Sequence, residues 1–211
     1  MNLDQKVIQS WDKFLNPEKL KDSLVKASLF LSAYEILKES IIDKLRSFFT
    51  NEWHLHEKTG ELKGKVSKSY KEKVTSLCPK DEFHACCLWF RDQEAINESD
   101  LAAISKARKH RNEIAHELPK YISSIDHDVN KQILESLVEV VRKIDVWWIS
   151  EIEIPTNPDF EADDMDKIDF DNVVGGNTMF LSLILSIFEG DDSHLKEIHA
   201  LLIEKINKIN G

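Results

Sequence analysis

The chain has 211 residues with only six glycines and five prolines, and 31% of its residues are charged. Its length supports one hydrophobic core, with room for a small appended subdomain. Three cysteines build no disulfide framework, and the longest mainly apolar run, residues 179–188, is too short to cross a bilayer. Because residues 1–6 also lack the basic and then apolar order of a signal peptide, we expect a soluble cytoplasmic protein with no membrane partner.

The net charge of −10 is unevenly distributed along the chain. Residues 1–150 contain 24 Lys and Arg against 24 Asp and Glu, whereas residues 151–211 contain 4 Lys against 14 acids. A neutral body that carries basic patches is compatible with nucleic acid as a partner. One patch lies within residues 106–111. A second, which also fits an ordinary solvated surface, consists of Lys58, Lys63, Lys65, Lys68, Lys71 and Lys73.

Apolar residues recur at helical spacing along most of the chain, and no alternating β-branched run indicates a strand. At Asn16-Pro17 the first helix ends and the second begins, with Asn as N-cap and Pro at the first helical position. Residues 51–64, which include two glycines, predict a loop. The helices expected within residues 1–150 cover 4–15, 17–49 (one helix, or two with a bend), 65–77, 81–96 and 99–119, and a sixth ends near 149.

Three further boundaries follow from local cap and proline chemistry. Ser99 is the expected N-cap of the fifth helix, and Pro119 is expected to end it because proline lacks the backbone donor. Asp126 or Asp128 is the expected N-cap of the sixth. The sequence thus predicts an all-α fold whose helical body covers residues 1–150.

The carboxy-terminal part predicts a helical hairpin behind an acidic linker. Residues 155–171 contain seven acids and two prolines. They form either a solvated linker or a segment that lies over the basic patch at residues 106–111 and competes there with nucleic acid. Helices are expected over residues 178–188 and 193–207, joined at Gly190. The predicted division is therefore 1–150 for the bundle, 151–172 for the acidic linker and 173–211 for an αα-hairpin packed on the bundle.

The feature with the clearest chemistry is Arg111-Asn112-Glu113-Ile114-Ala115-His116, late in the fifth predicted helix. A guanidinium offers five fixed donors to phosphate oxygens, and an imidazole transfers a proton near neutral pH. This spacing with Asn after the Arg arises by chance in about 0.01 chains of such composition. A helix places Arg111 on the same apolar stripe as Ile104 and Leu118, where it needs an anionic partner.

The motif resembles the R-x4-6-H signature of HEPN domains (higher eukaryotes and prokaryotes nucleotide-binding), helical bundles that include ribonuclease toxins. The segment from Ala33 to Glu39 is also similar to the first long helix of such domains, so the resemblance covers residues 17–149. It implies an antiparallel up-down bundle that forms a homodimer, with two motifs facing each other across a two-fold axis. One toxin branch has Tyr two residues after the His, where this chain has Leu118, so control by modifying that Tyr is not expected.

The function that the resemblance implies is a metal-independent endoribonuclease of the toxin or phage-defence type. It would need no cofactor and would answer to a cognate antitoxin or inhibitor protein. Arg111 would bind the scissile phosphate, His116 would transfer a proton, and Asn112 would orient the phosphate. The expected RNA-binding residues are Lys106, Arg108 and Lys109.

Two alternatives remain open. In a non-catalytic HEPN module, which dimerises or binds a nucleotide, an acid such as Glu35 or Glu39 would tie up Arg111. A helical adaptor with an acidic tail would have no site at all.

Two other sets of residues have competing interpretations. Trp147-Trp148 offers faces on which bases stack, although packing in the core or at an interface is the expected role. A soft-ligand group is close in sequence but matches no tetrahedral zinc spacing, so no metal is expected: His54, His56, Cys78, His84, Cys86 and Cys87.

Overall fold

The computed structural model describes residues 3–55, 60, 62–158 and 168–210. These form a helical bundle, which confirms the predicted all-α class. Across the described ranges, none of the helices combines the length and apolar character that a membrane crossing requires. The helices of six or more residues are α1 (Leu3–Leu15), α2 (Pro17–Phe48), α3 (Lys68–Lys73), α4 (Glu82–Asp92), α5 (Glu98–Ser123), α6 (Lys131–Trp148), α7 (Gly176–Glu189) and α8 (Ser193–Asn210). A π-helical turn (Ile149–Glu153) and a short α-helical turn (Ile154–Thr156) follow α6.

The central element is α2, a single helix of 32 residues. Its start confirms the predicted cap, since the Asn16 side chain accepts hydrogen bonds from the backbone N–H groups of Glu18 and Lys19. One face of α2 is buried at helical spacing, and it contacts α1, α4, α5, α6 and α7. The buried apolar residues of this face are Ala27, Phe30, Ala33, Tyr34, Leu37, Ile41 and Leu45.

An aromatic cluster closes the core where α2, α4 and α6 meet. Trp148 is buried, and Trp147 packs edge-on against Trp89 and Phe90, with ring centroids 6.0 and 5.9 Å apart. The interpretation of the tryptophan pair as core packing is therefore confirmed. Cys86 and Cys87 are also fully buried on α4, as expected for small apolar side chains.

The predicted loop at residues 51–64 is wrong, because an antiparallel hairpin occupies most of it. Strand β1 (Thr50–Leu55) pairs with β2 (Leu62–Val66) in a register that sets Trp53 opposite Gly64, with an irregularity between Thr50 and Glu52. The segment has few β-branched residues, so its propensity gave no strand signal. The predicted helix over 65–77 consequently begins only at Lys68, and a 3₁₀ turn follows α3 at Thr75–Leu77.

The predicted caps of α5 and α6 are wrong by a few residues. Asn97 rather than Ser99 caps α5, in a capping box where the Asp100 carboxylate accepts from the Asn97 backbone. Asn130 rather than Asp126 or Asp128 caps α6. Each true cap lies among several residues with similar capping chemistry, so propensity alone does not select it.

Pro119 also does not end α5. The helix continues to Ser123, and the distortion falls two residues earlier, at Glu117, whose backbone leaves the helical region (φ −121°, ψ 24°). Proline displaces the preceding turn because its ring clashes there and it donates no hydrogen bond. Tyr121 is buried beyond the proline, which gives the last turn an anchor in the core.

Helix α7, the first helix of the predicted carboxy-terminal hairpin, docks on α2 and α6 through buried Leu181, Ile184 and Phe188. Its amino terminus meets the buried Asp145 of α6, and α8 follows with most of its side chains exposed. Residues 159–167 of the predicted acidic linker lie outside the described residues.

Candidate active site

Helix α5 carries the Arg111–His116 motif along one side of the bundle. Its apolar face buries Ile104, Ala107 and Ile114 against neighbouring helices, chiefly α2 and α6. Arg111 lies beside this face, as its spacing predicts, and its side chain is 34% exposed. The capping box at Asn97 fixes the start of α5, so the motif side chains project from a rigid element.

Arg111 has the anionic partner that its position requires. Its Nε and Nη2 atoms both donate to Oε1 of Glu35 on α2, at 3.1 and 2.5 Å, and Nη1 donates to Oδ1 of Asn112 at 3.3 Å. Lys38 contacts the other oxygen of Glu35 at 3.4 Å. Burial opposes ionisation of Glu35, but these hydrogen bonds and the charge of Lys38 lower the pKa of Glu35 below its ordinary value.

The guanidinium of Arg111 lines an open cleft of about 400 Å³ between α2, the start of α4, and α5. A second arginine, Arg108, is bound there by Asp81, the N-cap of α4. Cationic and anionic side chains are therefore both present, and each arginine is held by one carboxylate. The lining residues are Tyr34, Glu35, Lys38, Ile42, Lys80, Asp81, Glu82, Phe83, Arg108, Arg111 and Asn112.

His116 lies outside this cleft. It is exposed and is not among the cleft residues, whereas Asn112, one helical turn earlier, is at the rim. On a helix, His116 projects roughly 140° away from Arg111 and roughly 7.5 Å further along the axis. The chain thus brings Arg111 and Asn112 together with Glu35, but it does not bring His116 into the same cleft.

The three predicted RNA-binding residues do not all lie at the cleft. Arg108 faces the cleft and is paired with Asp81, while Lys106 and Lys109 are exposed. Lys109 lies seven residues before His116, which places both on one outer face of α5. This face carries a cation and an imidazole about two helical turns apart, outside the cleft.

His110 also lies on α5, but its side chain is buried in the core. Its Nε2 atom accepts from the backbone N–H of Asn130 at 3.0 Å, and Phe30 packs edge-on at 4.9 Å. Burial lowers the pKa of His110 below its ordinary value, although the nearby carboxylate of Glu113 raises it in part. Its other ring nitrogen, Nδ1, lies 3.4 Å from the hydroxyl oxygen of Tyr121, so both nitrogens contact the protein and His110 is not among the residues that line the cleft.

Sequence reasoning missed several residues of the cleft wall. Asp81, Lys80 and Lys38 come from segments distant in the chain, and no motif joins them to Arg111. A partial signal existed, since Glu35 was one of two acids proposed as partners of Arg111 and lies in the segment that resembles a HEPN helix. Asp81 carried only the signal of a helix start.

Within the described ranges, no three or more His, Cys, Asp or Glu side chains are grouped so as to hold a metal ion. No family model, curated protein or solved structure matches this chain. The likeness to HEPN domains therefore stands on the motif residues Arg111, Asn112 and His116 and on the segment around Glu35.

Proposed function

We propose that this chain is a metal-independent endoribonuclease of the HEPN type that cleaves RNA through Arg111 and His116. Its setting would be the cytoplasm, as a toxin or phage-defence effector under the control of a cognate inhibitor protein. The observation that carries the proposal is the position of Arg111, which is held by Glu35 at the wall of an open cleft. A fixed guanidinium at a solvent-filled cleft is suited to binding a phosphate.

The remaining donors of Arg111 support this role. Three of its N–H groups serve Glu35 and Asn112, which leaves two of the five outside these contacts. A phosphate that enters the cleft would meet these donors, together with Lys38 and Lys80. Developing charge on a phosphorane-like transition state would be stabilised there.

His116 takes part through a second copy of the chain. Because it projects away from Arg111 on the same helix, a two-fold contact along α5 would set the His116 of one protomer against the Arg111 of the other. The imidazole would deprotonate the attacking 2′-hydroxyl or protonate the leaving 5′-oxygen. The product would end in a 2′,3′-cyclic phosphate.

The test is RNA cleavage in excess EDTA by the wild type and by Arg111→Ala and His116→Ala. Each substitution should lower the rate at least ~10²-fold, the scale of removing a proton-transfer or charge-stabilising group. His127→Ala serves as a matched control, since this histidine lies beyond the motif. Cleavage that EDTA abolishes, or that survives both substitutions, would contradict the mechanism.

A second candidate has its own supporting observation. The Glu35–Arg111 ion pair is the contact that a non-catalytic dimerisation or nucleotide-binding module would have, because it satisfies the arginine without a ligand. The two candidates differ in what they predict for RNA. A module whose Arg111 is tied up by Glu35 would release no cyclic phosphate, and neither Arg111→Ala nor His116→Ala would change its binding of nucleotide or RNA.

A further inference from the structure

A further concentration of positive charge lies on helix α3 and, beyond the turn that follows it, reaches the cleft wall at Lys80. Residues 62–80 contain six lysines and a single acid, Glu72, in a chain whose net charge is −10. Like charges placed this densely repel one another, so a polyanionic partner would stabilise the arrangement. Lys68, Lys71, Lys73 and Lys80 therefore form a candidate interaction surface.

The lysines of α3 have no acidic partner among the described residues. Lys68, Lys71 and Lys73 are exposed and take part in none of the ion pairs found within those ranges. The arginines of the cleft differ, because Arg108 and Arg111 are each bound by a carboxylate. Within the described ranges, a phosphate group would therefore meet these three cations without displacing an acidic side chain.

Helix α3 is fixed next to the cleft by its buried residue Tyr70. The Tyr70 hydroxyl donates to Oε1 of Glu82 at 2.7 Å, and Arg46 binds both oxygens of Glu82 at 3.0 and 2.7 Å. Glu82 itself lines the cleft. One hydrogen bond thus separates the α3 anchor from the cleft wall.

The direction of the lysines follows from this anchor. At about 100° per residue, Lys68 and Lys71 point roughly 160° and 100° away from Tyr70, toward solvent. The chain then runs through the 3₁₀ turn Thr75–Leu77 to Lys80, which lines the cleft beside Arg108. Lys80 is thus the next cation along the chain after α3, and it lies at the cleft.

We propose that Lys68, Lys71 and Lys73 of α3 bind the sugar-phosphate backbone of single-stranded RNA and that Lys80 leads this strand into the Arg111 cleft. The proposal rests on the proposed function, which supplies the RNA. Lysines on one short helix contact phosphates without reading bases, so this surface would provide affinity and orientation but no sequence preference.

The test uses a fluorescent oligouridylate with 2′-O-methyl groups, which binds but has no nucleophile for cleavage. Affinity is measured by anisotropy over a range of KCl concentrations for the full-length wild type and for Lys68→Gln/Lys71→Gln/Lys73→Gln. Each phosphate contact on a single strand contributes about 0.7 to the slope of log K against log salt, so the triple variant should lose about 2 from this slope. Its affinity at low salt should fall at least tenfold.

The control is Lys196→Gln/Lys205→Gln/Lys208→Gln, which removes the same charge from exposed positions on α8. It should retain the wild-type slope. Equal losses in both variants would show a general charge effect and overturn the proposal, and an unaffected α3 variant would assign the surface to another partner, such as an acidic protein. If the wild type binds the methylated RNA but does not cleave ordinary RNA, the proposed function fails and this surface stands; if it binds neither, both fail.

Discussion

Arg111 and Glu35 join α5 to α2 through two hydrogen bonds that end on a single carboxylate oxygen, Oε1. The contact orients the guanidinium and leaves its outer edge toward the cleft. Both side chains are about a third exposed (34 and 35%), so solvent screens the pair and its contribution to stability is small. Its main consequence is geometric, since it fixes where a phosphate would meet Arg111.

The first prediction concerns Glu35 as a positioning residue. Glu35→Ala should lower kcat for RNA cleavage by about 10²-fold with little change in KM, because a reacting group misplaced by about 1 Å has an effect of this size. Glu35→Gln keeps an oxygen that accepts from Arg111 and should retain most of the activity. A Glu35→Ala enzyme that is as fast as the wild type, or faster, would show that the carboxylate only blocks the site.

The second prediction concerns the buried His110. Because its pKa is lowered in the folded chain, the unfolded chain binds more protons between that lowered pKa and about 6.5. Stability should therefore fall as the pH drops below about 6.5 and level off below the folded pKa. In His110→Gln the amide oxygen still accepts from Asn130, so this part of the pH dependence should disappear.

The measurement for His110 is the unfolding midpoint of both proteins between neutral and mildly acidic pH. The wild type should lose more stability than His110→Gln over this interval. Parallel curves for the two proteins would contradict the assignment of this titration to His110.

The third prediction concerns the docking of α7 on the bundle. Asp145 is 2% exposed, and its carboxylate accepts from the backbone N–H and the hydroxyl of Thr178 at 3.0 and 2.7 Å and pairs with Lys44 at 3.1 Å. It thus caps α7 from another helix, and a side chain at Gly175 would overlap it. Asp145→Ala should lower the free energy of unfolding by about 3–5 kcal/mol, since it leaves Lys44 and the helix end unpaired.

Urea denaturation provides the measurement for Asp145. The matched control is the exposed Asp43, where Asp43→Ala should change the free energy of unfolding by no more than about 0.5 kcal/mol. Similar effects of the two substitutions would mean that Asp145 does not hold α7 in place.

Local chemistry determines which parts of this fold the sequence predicts. The Asn16-Pro17 boundary and the end of α6 near residue 149 were predicted correctly because a cap, a proline and an apolar period act within a few residues. The β1–β2 hairpin was missed because its strands have weak propensity and are held by pairing. The capping residue Asn97 was missed because Ser99 nearby has equal propensity.

In the candidate site too, residues that are close in sequence were predicted and contacts between distant residues were not. Arg111, Asn112 and His116 are adjacent in sequence, so a motif identifies them. The contact of Arg108 with Asp81 joins residues 27 positions apart, and that of Arg111 with Glu35 joins residues 76 apart. Only the packing of α2, α4 and α5 creates these contacts, and only the helical geometry shows that His116 lies outside the cleft.

The fourth prediction follows from that divergence of Arg111 and His116. The chain should form a homodimer with twice the monomer mass of 24.4 kDa by light scattering, and each site should use the arginine of one protomer and the histidine of the other. A heterodimer of Arg111→Ala and His116→Ala chains would then contain one intact site and one that lacks both groups. A strict monomer at micromolar concentration would remove this arrangement.

Cleavage by Arg111 and His116 across the dimer is tested most sharply with a mixture of these two inactive variants. The variants carry different affinity tags and are equilibrated in equal amounts, and RNA cleavage is then measured in EDTA. Random association gives about half heterodimers with one of two sites intact, so the mixture should recover about a quarter of wild-type activity. The activity should copurify with both tags. A mixture as inactive as its separate components, although heterodimers have formed, would contradict cleavage by Arg111 and His116 across the dimer.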